Sequence, residues 1–131
     1  MYTAGNQSCG EYSNGALRLV GGPTPYEGRV ELCIDGEWGT ICDSFWTAID
    51  AVVACRQLSL GISDATAVGG AQYGQGNGTI HLDRFFCFGD ENYLTDCIHR
   101  RAPTECQHSQ DAGVVCSGII AIASTYSTEH V

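Results

Sequence analysis

Eight cysteines in a chain of 131 residues constrain the fold more than any other feature of this sequence. An even number in so short a chain is typical of extracellular domains held together by disulfides. Structural zinc sites take paired ligands with about two to four residues between them, whereas the nearest cysteines here, such as Cys97 and Cys106, are nine positions apart. The sequence therefore predicts disulfides and an extracellular location. The cysteines are Cys9, Cys33, Cys42, Cys55, Cys87, Cys97, Cys106 and Cys116.

Spacing alone does not pair these cysteines, since eight of them allow roughly a hundred connectivities. Cys87 and Cys97 close a short loop and are natural partners by proximity. Each bridge is expected to contribute about 2–4 kcal/mol, mostly by restricting the unfolded chain.

The charge balance argues against two classes of partner. The 15 acidic residues outnumber the six basic ones, all of them arginine, and the formal net charge is −9. Such a mean field repels phosphate-rich surfaces, so we expect no nucleic-acid partner. No apolar stretch approaches the roughly 18 residues that span a bilayer, so we expect no direct membrane insertion by this chain.

The two ends of the chain carry weaker signals: the N-terminal end is polar, and the C-terminal end holds a brief apolar run at residues 119–122. Residues 1–16 predict an N-terminal arm, and residues 118–131 predict a C-terminal tail or linker. The start at Met1 lacks the basic and apolar regions of a signal peptide, so we expect an added start codon on a fragment of a longer protein. The sequons at Asn6 and Asn77 predict glycosylation on surface loops.

Between these ends, hydrophobic patterns predict an α+β domain. Residues 17–20 alternate apolar with polar, and residues 29–42 predict a β-hairpin around an Asp-Gly turn. A helix is expected from Thr47, with Asp50 completing a capping box, through an apolar stripe that Gly61 ends as a C-terminal cap. Further short strands are expected at residues 80–83 and 111–116.

The most distinctive sequence blocks follow one another along the chain. They are Gly28-Arg29-Val30-Glu31-Leu32, Gly36-Glu37-Trp38-Gly39-Thr40-Ile41-Cys42-Asp43, Ala54-Cys55-Arg56-Gln57-Leu58, Leu82-Asp83, Glu91-Asn92-Tyr93-Leu94 and Asp111-Ala112-Gly113-Val114-Val115-Cys116. In order and spacing they resemble the scavenger receptor cysteine-rich domain family, over residues 17–117. The resemblance implies a small disulfide-rich domain in which a curved antiparallel β-sheet cradles one α-helix.

The same resemblance implies three bridges, Cys42–Cys106, Cys55–Cys116 and Cys87–Cys97. The extra bridge of the eight-cysteine subtype would fall near Tyr26 and Leu60, and neither is cysteine here. Cys9 and Cys33 are then left over. We predict that they pair and staple the arm to the first hairpin, with an intermolecular bridge through Cys9 as the alternative.

Similar domains often bind Ca²⁺ through clustered acidic side chains. One family site takes two consecutive aspartates and a later glutamate. Asp43, Ser44 and Gln110 occupy these positions here, which predicts a weakened or lost site.

A second family site implies Asp83 and Glu105 as ligands, with Asp50 as a candidate third. The alternative is that Asp50 caps the helix and the others are solvated surface acids. We therefore expect no required cofactor, with Ca²⁺ as the one candidate ion.

Scavenger-type members of the family bind polyanions through arginine clusters. Arg100 and Arg101, flanked by His99, form the one basic cluster in this sequence. Arginine makes forked contacts with sulfate, phosphate or carboxylate, so this cluster is the predicted ligand site. A solvated loop, or a local salt bridge to Asp96 or Glu105, is the alternative.

Catalysis requires a nucleophile beside a base in a pocket. The histidines are scattered, and every cysteine is better explained by a bridge, so we expect no enzyme. The predicted function is an extracellular module that binds a protein or glycan ligand, in a secreted or cell-surface scavenger-receptor-like protein. One alternative is a non-catalytic targeting module of an extracellular enzyme such as a serine protease or amine oxidase. Another is a self-associating cell-adhesion module; we expect a monomer or weak self-association.

Overall fold

The computed structural model describes residues 7–117. The sequon at Asn6 and the predicted tail over residues 118–131 lie outside this part of the chain. The elements, in order, are β1 (Leu17–Val20), β2 (Glu27–Ile34), β3 (Glu37–Ile41), α1 (Ala48–Gln57), β4 (Thr66–Val68), β5 (Ile80–Phe86), a 3-10 turn (Leu94–Asp96), β6 (Ile98–Arg101), a second 3-10 turn (His108–Gln110) and β7 (Gly113–Val115).

The strands form one mixed sheet in the order β4-β7-β2-β3-β5-β6, and β1 pairs with β2. The hairpin of β2 and β3 closes through Asp35 and Gly36, which both have positive φ, 54° and 81°. This backbone matches the right-handed twist of the strands. The β3–β5 pair is parallel, while the other strand pairs are antiparallel. The predicted fold class is confirmed, with the addition of this parallel pair.

Helix α1 begins as the sequence predicts and ends earlier. The Thr47 N–H donates to the Asp50 carboxylate at 2.9 Å, which completes the capping box. Ser59 takes a positive φ of 61° after the last turn, and the Leu60 N–H donates to the Cys55 carbonyl at 2.9 Å. This is the geometry of a Schellman motif. The predicted cap at Gly61 is therefore wrong, because a serine takes the left-handed position two residues earlier.

The core lies between the sheet and the inner side of α1. Ala51, Val53, Ala54 and Cys55 of the helix are fully buried. They pack in one cluster with apolar side chains of the sheet, including Val30, Leu32, Ile41, Phe85 and Val114. Burial of such side chains is the main force that holds a curved sheet against a helix.

The structure joins the cysteines in the four expected pairs. These are Cys9–Cys33, Cys42–Cys106, Cys55–Cys116 and Cys87–Cys97. The third bridge ties α1 to the residue after β7, so the helix and the sheet are covalently linked. The fourth encloses the loop between β5 and β6.

The Cys9–Cys33 bridge belongs to a separate small cluster around Trp38, which is buried. Tyr12 packs edge-on against the Trp38 ring at 5.1 Å, and the Arg18 guanidinium lies 4.3 Å from the centre of the same ring. The Cys9 N–H also donates to the Gly36 carbonyl at 2.9 Å. Residues 9–16 of the arm are thus fixed against the hairpin.

Candidate ligand-binding face

Three of the six arginines form hydrogen bonds and ion pairs within the domain. Arg18 and Arg29 both donate to the buried Glu31 carboxylate, at 2.6 and 2.9 Å. Arg56 donates to the carbonyls of Gly89 and Glu91, at 2.7 and 3.0 Å. Because their N–H groups serve the fold, these arginines have little left to offer a ligand.

The other three arginines gather on the last two strands of the sheet. Arg84 on β5 and Arg100 on β6 each have side chains 49% exposed. Arg101, also on β6, is exposed and makes no ion pair within residues 7–117. We call this set of Arg84, Arg100 and Arg101 the arginine edge.

Asp83 anchors the arginine edge from inside the domain. Its side chain is fully buried, and its Oδ2 accepts from Arg100 Nη2 at 3.2 Å, with Arg84 Nε at 3.9 Å. Asp83 and Arg100 are directly opposite in the β5–β6 register. A buried carboxylate needs a cationic partner, and here two half-exposed arginines share that role. Arg84 and Arg100 each keep further N–H groups that are available to a ligand.

Arg84 is the functional candidate that the sequence analysis missed. Its φ is 54°, and the β5–β6 register shifts between Asp83 and Phe86. Such bulges redirect a side chain out of the usual alternation. The Arg84 guanidinium lies 4.7 Å from the ring centre of Phe45, whose φ is also positive at 60°. An arginine in a strand with no basic neighbour in sequence carries no signal of this arrangement.

His99 has a structural role beside the predicted pair. Its Nδ1 lies 2.7 Å from the Cys97 carbonyl, and its ring packs 5.4 Å from the buried Phe85. His99 is half-buried, so it supports β6 from within. The predicted salt bridges from the arginines to Asp96 or Glu105 are not among those found in residues 7–117; Arg100 pairs with Asp83 instead.

A groove opens directly beside Arg84. It has a volume of about 610 Å³ and lies between the start of α1 and the end of β5. Its walls are mainly apolar and include Phe45, Ile49 and Phe86, with Arg84 on one side. We call it the aromatic groove.

The predicted cation ligands are not brought together as a set. Asp43 Oδ2 accepts from the Gly70 N–H at 2.8 Å. Asp50 is buried, with its oxygens accepting from Thr47 and from the Cys87 N–H at 3.2 Å. Burial raises the pKa of Asp50, against the opposing effect of those N–H donors. Asp50 therefore acts as the helix cap that the sequence analysis gave as the alternative.

Glu105 is exposed, and none of the four predicted ligands joins a group of three close ligand atoms within residues 7–117. The group that does form there is Cys87, Glu91 and Cys97. Its sulfurs are bonded to each other, and Glu91 accepts from the Phe88 and Gly89 N–H groups at 2.9 and 3.0 Å. These bonds hold the loop between β5 and β6 in place, and they occupy the atoms that would otherwise bind an ion.

A further polar pair lies away from the arginine edge. His108 Nδ1 is 2.9 Å from the buried Asp111 carboxylate, and Nε2 is 2.9 Å from the Gly78 carbonyl. Burial alone would lower the pKa of His108, but the Gly78 and Asp111 acceptors outweigh it and raise that pKa. Asp111 also accepts from the Gly76 N–H at 2.8 Å. The pair fixes the glycine-rich loop, which comprises residues 69–78 and in which Asn77 is exposed.

A curled sheet packed around one helix and cross-linked by four disulfides defines the class of this domain. The chain belongs to the scavenger receptor cysteine-rich family, whose model, described as the scavenger receptor cysteine-rich domain, matches residues 20–117. The domains of this family are non-catalytic modules, which confirms the expectation that this one is not an enzyme. Within residues 7–117, no helix is long and apolar enough to span a bilayer.

The chain is similar to single domains of much larger proteins. Mouse T-cell differentiation antigen CD6 is 46% identical over 110 residues, which is 84% of this chain and 16% of that protein. Lysyl oxidase homolog 2 of Gallus gallus is 46% identical over 101 residues, 77% of this chain and 13% of that protein. The chain thus spans a small part of the relatives that it matches, which include a receptor-like protein and an oxidase homologue.

Two solved structures share the fold. The third scavenger receptor cysteine-rich domain of murine neurotrypsin superposes with a TM-score of 0.71 at 45% identity, covering 79% of this chain and 97% of that one. The dimeric form of the mouse MARCO domain gives a TM-score of 0.63 at 44% identity, covering 76% of this chain and 93% of that one.

Proposed function

We propose that this domain is an extracellular ligand-binding module that recognises anionic ligands through the arginine edge. The observation that carries the proposal is the division of the six arginines. Arg18, Arg29 and Arg56 bond to carboxylate or carbonyl groups of the domain itself, while Arg84, Arg100 and Arg101 collect at one sheet edge. In a chain of net charge −9, this local concentration of forked cationic donors suits sulfate or carboxylate groups.

The four bridges make the face rigid before any ligand arrives. A preformed surface loses little ordering entropy on binding, and disulfides of this density are typical of proteins that fold in oxidising compartments. Extracellular location is part of the proposal and is supported by this bridge pattern. Asn77 is exposed and is the proposed glycosylation site within the described residues.

Heparin retention tests the proposal directly. The Arg100→Ala/Arg101→Ala variant is expected to elute from a heparin column at clearly lower salt than the wild type, because binding to a polyanion scales with the number of cations engaged. Arg18→Gln removes one positive charge on another face and is the control for lost positive charge, with unchanged elution expected. Equal elution of the wild type and the double variant would remove the arginine edge as the site.

A cation-assisted version of the same function has one observation in its favour. Asp83 Oδ1 is buried and has no hydrogen-bond partner within residues 7–117. Calorimetric titration with CaCl₂ would measure binding, with Asp83→Asn as the control. Heat that disappears in the variant would support a site at Asp83. No heat, together with no shift in melting temperature, would dismiss it.

Two other roles stay as alternatives. Similarity to a lysyl oxidase homologue favours a targeting module attached to an extracellular enzyme, and an enzyme domain in the flanking sequence of the full-length protein would establish it. The dimeric MARCO structure favours self-association. Sedimentation at several concentrations would detect that directly.

A further inference from the structure

Exposed apolar side chains are concentrated around the aromatic groove. Of the large hydrophobic residues that are strongly exposed within residues 7–117, all except Tyr12 and Tyr93 lie at the groove or on its rim, and these are 50–72% exposed. They are Phe45, Ile49, Phe86, Phe88 and Ile98. A contiguous apolar patch of this kind is typical of a protein interaction site, whereas single exposed apolar residues are ordinary.

The groove is built to keep its shape. Phe86 and Phe88 pack edge to face with their ring centres 5.5 Å apart, and Ile98 is opposite Phe86 in the β5–β6 register. Phe45 is held under the Arg84 guanidinium. The Cys87–Cys97 bridge closes the loop behind these residues. Rigid aromatic walls offer contact area at a low cost in conformational entropy.

The charged residues around the groove indicate which class of ligand it can bind. Arg84 forms part of the groove wall, and Arg100 is anchored beside it through the shared Asp83 carboxylate. Asp50, the acidic residue that lines the groove, is 1% exposed and bound by N–H donors. The accessible charge on the Arg84 side of the groove is therefore positive and complements a carboxylate, whereas the rim near Phe88 carries the acidic Asp90 and Glu91. A second copy of this chain would bring together two molecules of net charge −9, and the long-range field opposes that contact more strongly than it opposes a short segment with a few carboxylates.

We infer that the aromatic groove binds an apolar side chain within an acidic segment of a partner protein, whose carboxylates pair with the arginine edge. This inference rests on the proposed function for the arginines and adds the class of ligand. A polysaccharide supplies the negative charge without the apolar anchor. An acidic protein segment supplies both, so it uses the groove as well as the arginines.

The test uses the oxidised full chain and three fluorescein-labelled synthetic peptides, compared by fluorescence anisotropy. The first has a central tryptophan with two glutamates on each side. The second replaces the tryptophan with glycine, and the third replaces the glutamates with lysines. We expect the first to bind about tenfold more tightly than the second, which corresponds to about 1.4 kcal/mol, and the third to bind far more weakly.

Phe86→Ala tests the groove, and Tyr93→Ala is the control, because the two aromatic side chains are similarly exposed, at 59% and 56%. We expect Phe86→Ala to weaken binding of the tryptophan peptide about tenfold and to leave heparin elution unchanged. Tyr93→Ala is expected to change neither. Circular dichroism and intact mass confirm that each variant is folded and fully oxidised.

The outcomes separate this inference from the proposed function. If the wild type is retained on heparin through Arg100 and Arg101 but the tryptophan and glycine peptides bind equally, the groove inference is overturned alone. If the Arg100→Ala/Arg101→Ala variant binds both heparin and the tryptophan peptide as well as the wild type does, the proposed function fails. Equal binding of the lysine peptide also overturns the inference.

Two results would assign the groove to another occupant and overturn the inference. One is a concentration-dependent dimer that disappears in Phe86→Ala, which would indicate a second copy of the chain. The other is peptide binding that appears only after removal of residues 118–131, which would indicate the chain's own tail.

Discussion

Two regions of the domain use the same residue types in opposite ways. On the stapled face, which comprises β1, β2, β3 and the Cys9–Cys33 bridge, the Glu31 carboxylate binds both Arg18 and Arg29. On the arginine edge, Asp83 holds Arg100 with one oxygen, while its other oxygen has no hydrogen-bond partner within residues 7–117. The first carboxylate is fully paired and the second is not.

This difference separates stability from recognition. The stapled face buries Trp38 and the Cys9–Cys33 disulfide, with Arg18 packed over the tryptophan ring and paired with the Glu31 carboxylate. The arginine edge keeps donors exposed and places an open apolar groove beside them. We therefore expect substitutions on the stapled face to change mainly the free energy of unfolding, and those at the edge to change mainly binding.

Removal of the Cys9–Cys33 bridge is expected to have the largest effect. In the Cys9→Ser/Cys33→Ser variant the unfolded chain regains the freedom of a loop of 24 residues, which corresponds to about 3 kcal/mol of lost stability. Urea unfolding at constant pH measures this loss. Heparin elution is expected to stay unchanged, because the arginine edge lies on other strands. A variant as stable as the wild type would show that the arm is not part of the cooperative unit.

Glu31→Gln is expected to have the next largest effect, a loss of about 2 kcal/mol in the free energy of unfolding. The buried side chain is 7% exposed and joins two arginines, and breaking such a pair leaves uncompensated charge. The figure is reduced from that of a fully buried pair because Arg18 is 38% exposed and screened by solvent. Thermal and urea unfolding give the value. A loss smaller than that of Asp83→Asn would contradict the contrast between the two regions.

Asp83→Asn is expected to lower the free energy of unfolding by about 1 kcal/mol. Loss of the ion pair to Arg100 is partly offset, because the buried carboxylate no longer has to be removed from water. The same unfolding measurement applies, and heparin elution reports on whether the freed Arg100 keeps its position. A loss above that of Glu31→Gln would mean that the edge, too, is built mainly for stability.

The sequence predicts the stapled face better than the arginine edge. The Asp-Gly hairpin and the capping box of α1 are local patterns, so they can be identified from neighbouring residues. Strand β6 carries Ile98 and Arg101 in a run without apolar alternation, and β4 lies in a glycine-rich stretch, so both strands were missed. Their pairing depends on tertiary contacts.

The groove and its arginine could not be predicted for the same reason. Phe45, Ile49 and Phe86 are far apart in sequence and meet only because α1 begins beside the end of β5. Arg84 is exposed toward them by a local register shift that no residue pattern marks. The resemblance to a family gives three of the four bridges correctly, but it does not indicate which of the six arginines remain free.

The smallest expected effect is a change of stability with pH, which arises from His108 beside the glycine-rich loop. His108 is bound by the Asp111 carboxylate and the Gly78 carbonyl, and its pKa is raised in the folded domain. Protonation of His108 therefore adds stability, which is fully present below the ordinary histidine pKa of about 6.5 and is lost as pH rises through the higher folded value. We expect the melting temperature to fall by a few degrees between about pH 6 and pH 8.

His108→Gln identifies the source of this pH dependence. Glutamine has no charge to lose over this range, so the variant is expected to show a flatter profile than the wild type, with lower stability at about pH 6. A wild-type profile that rises with pH through this interval would show that Asp111 and Gly78 do not stabilise the charged ring. The loop carrying the exposed Asn77 would then be held by the Gly76–Asp111 bond instead.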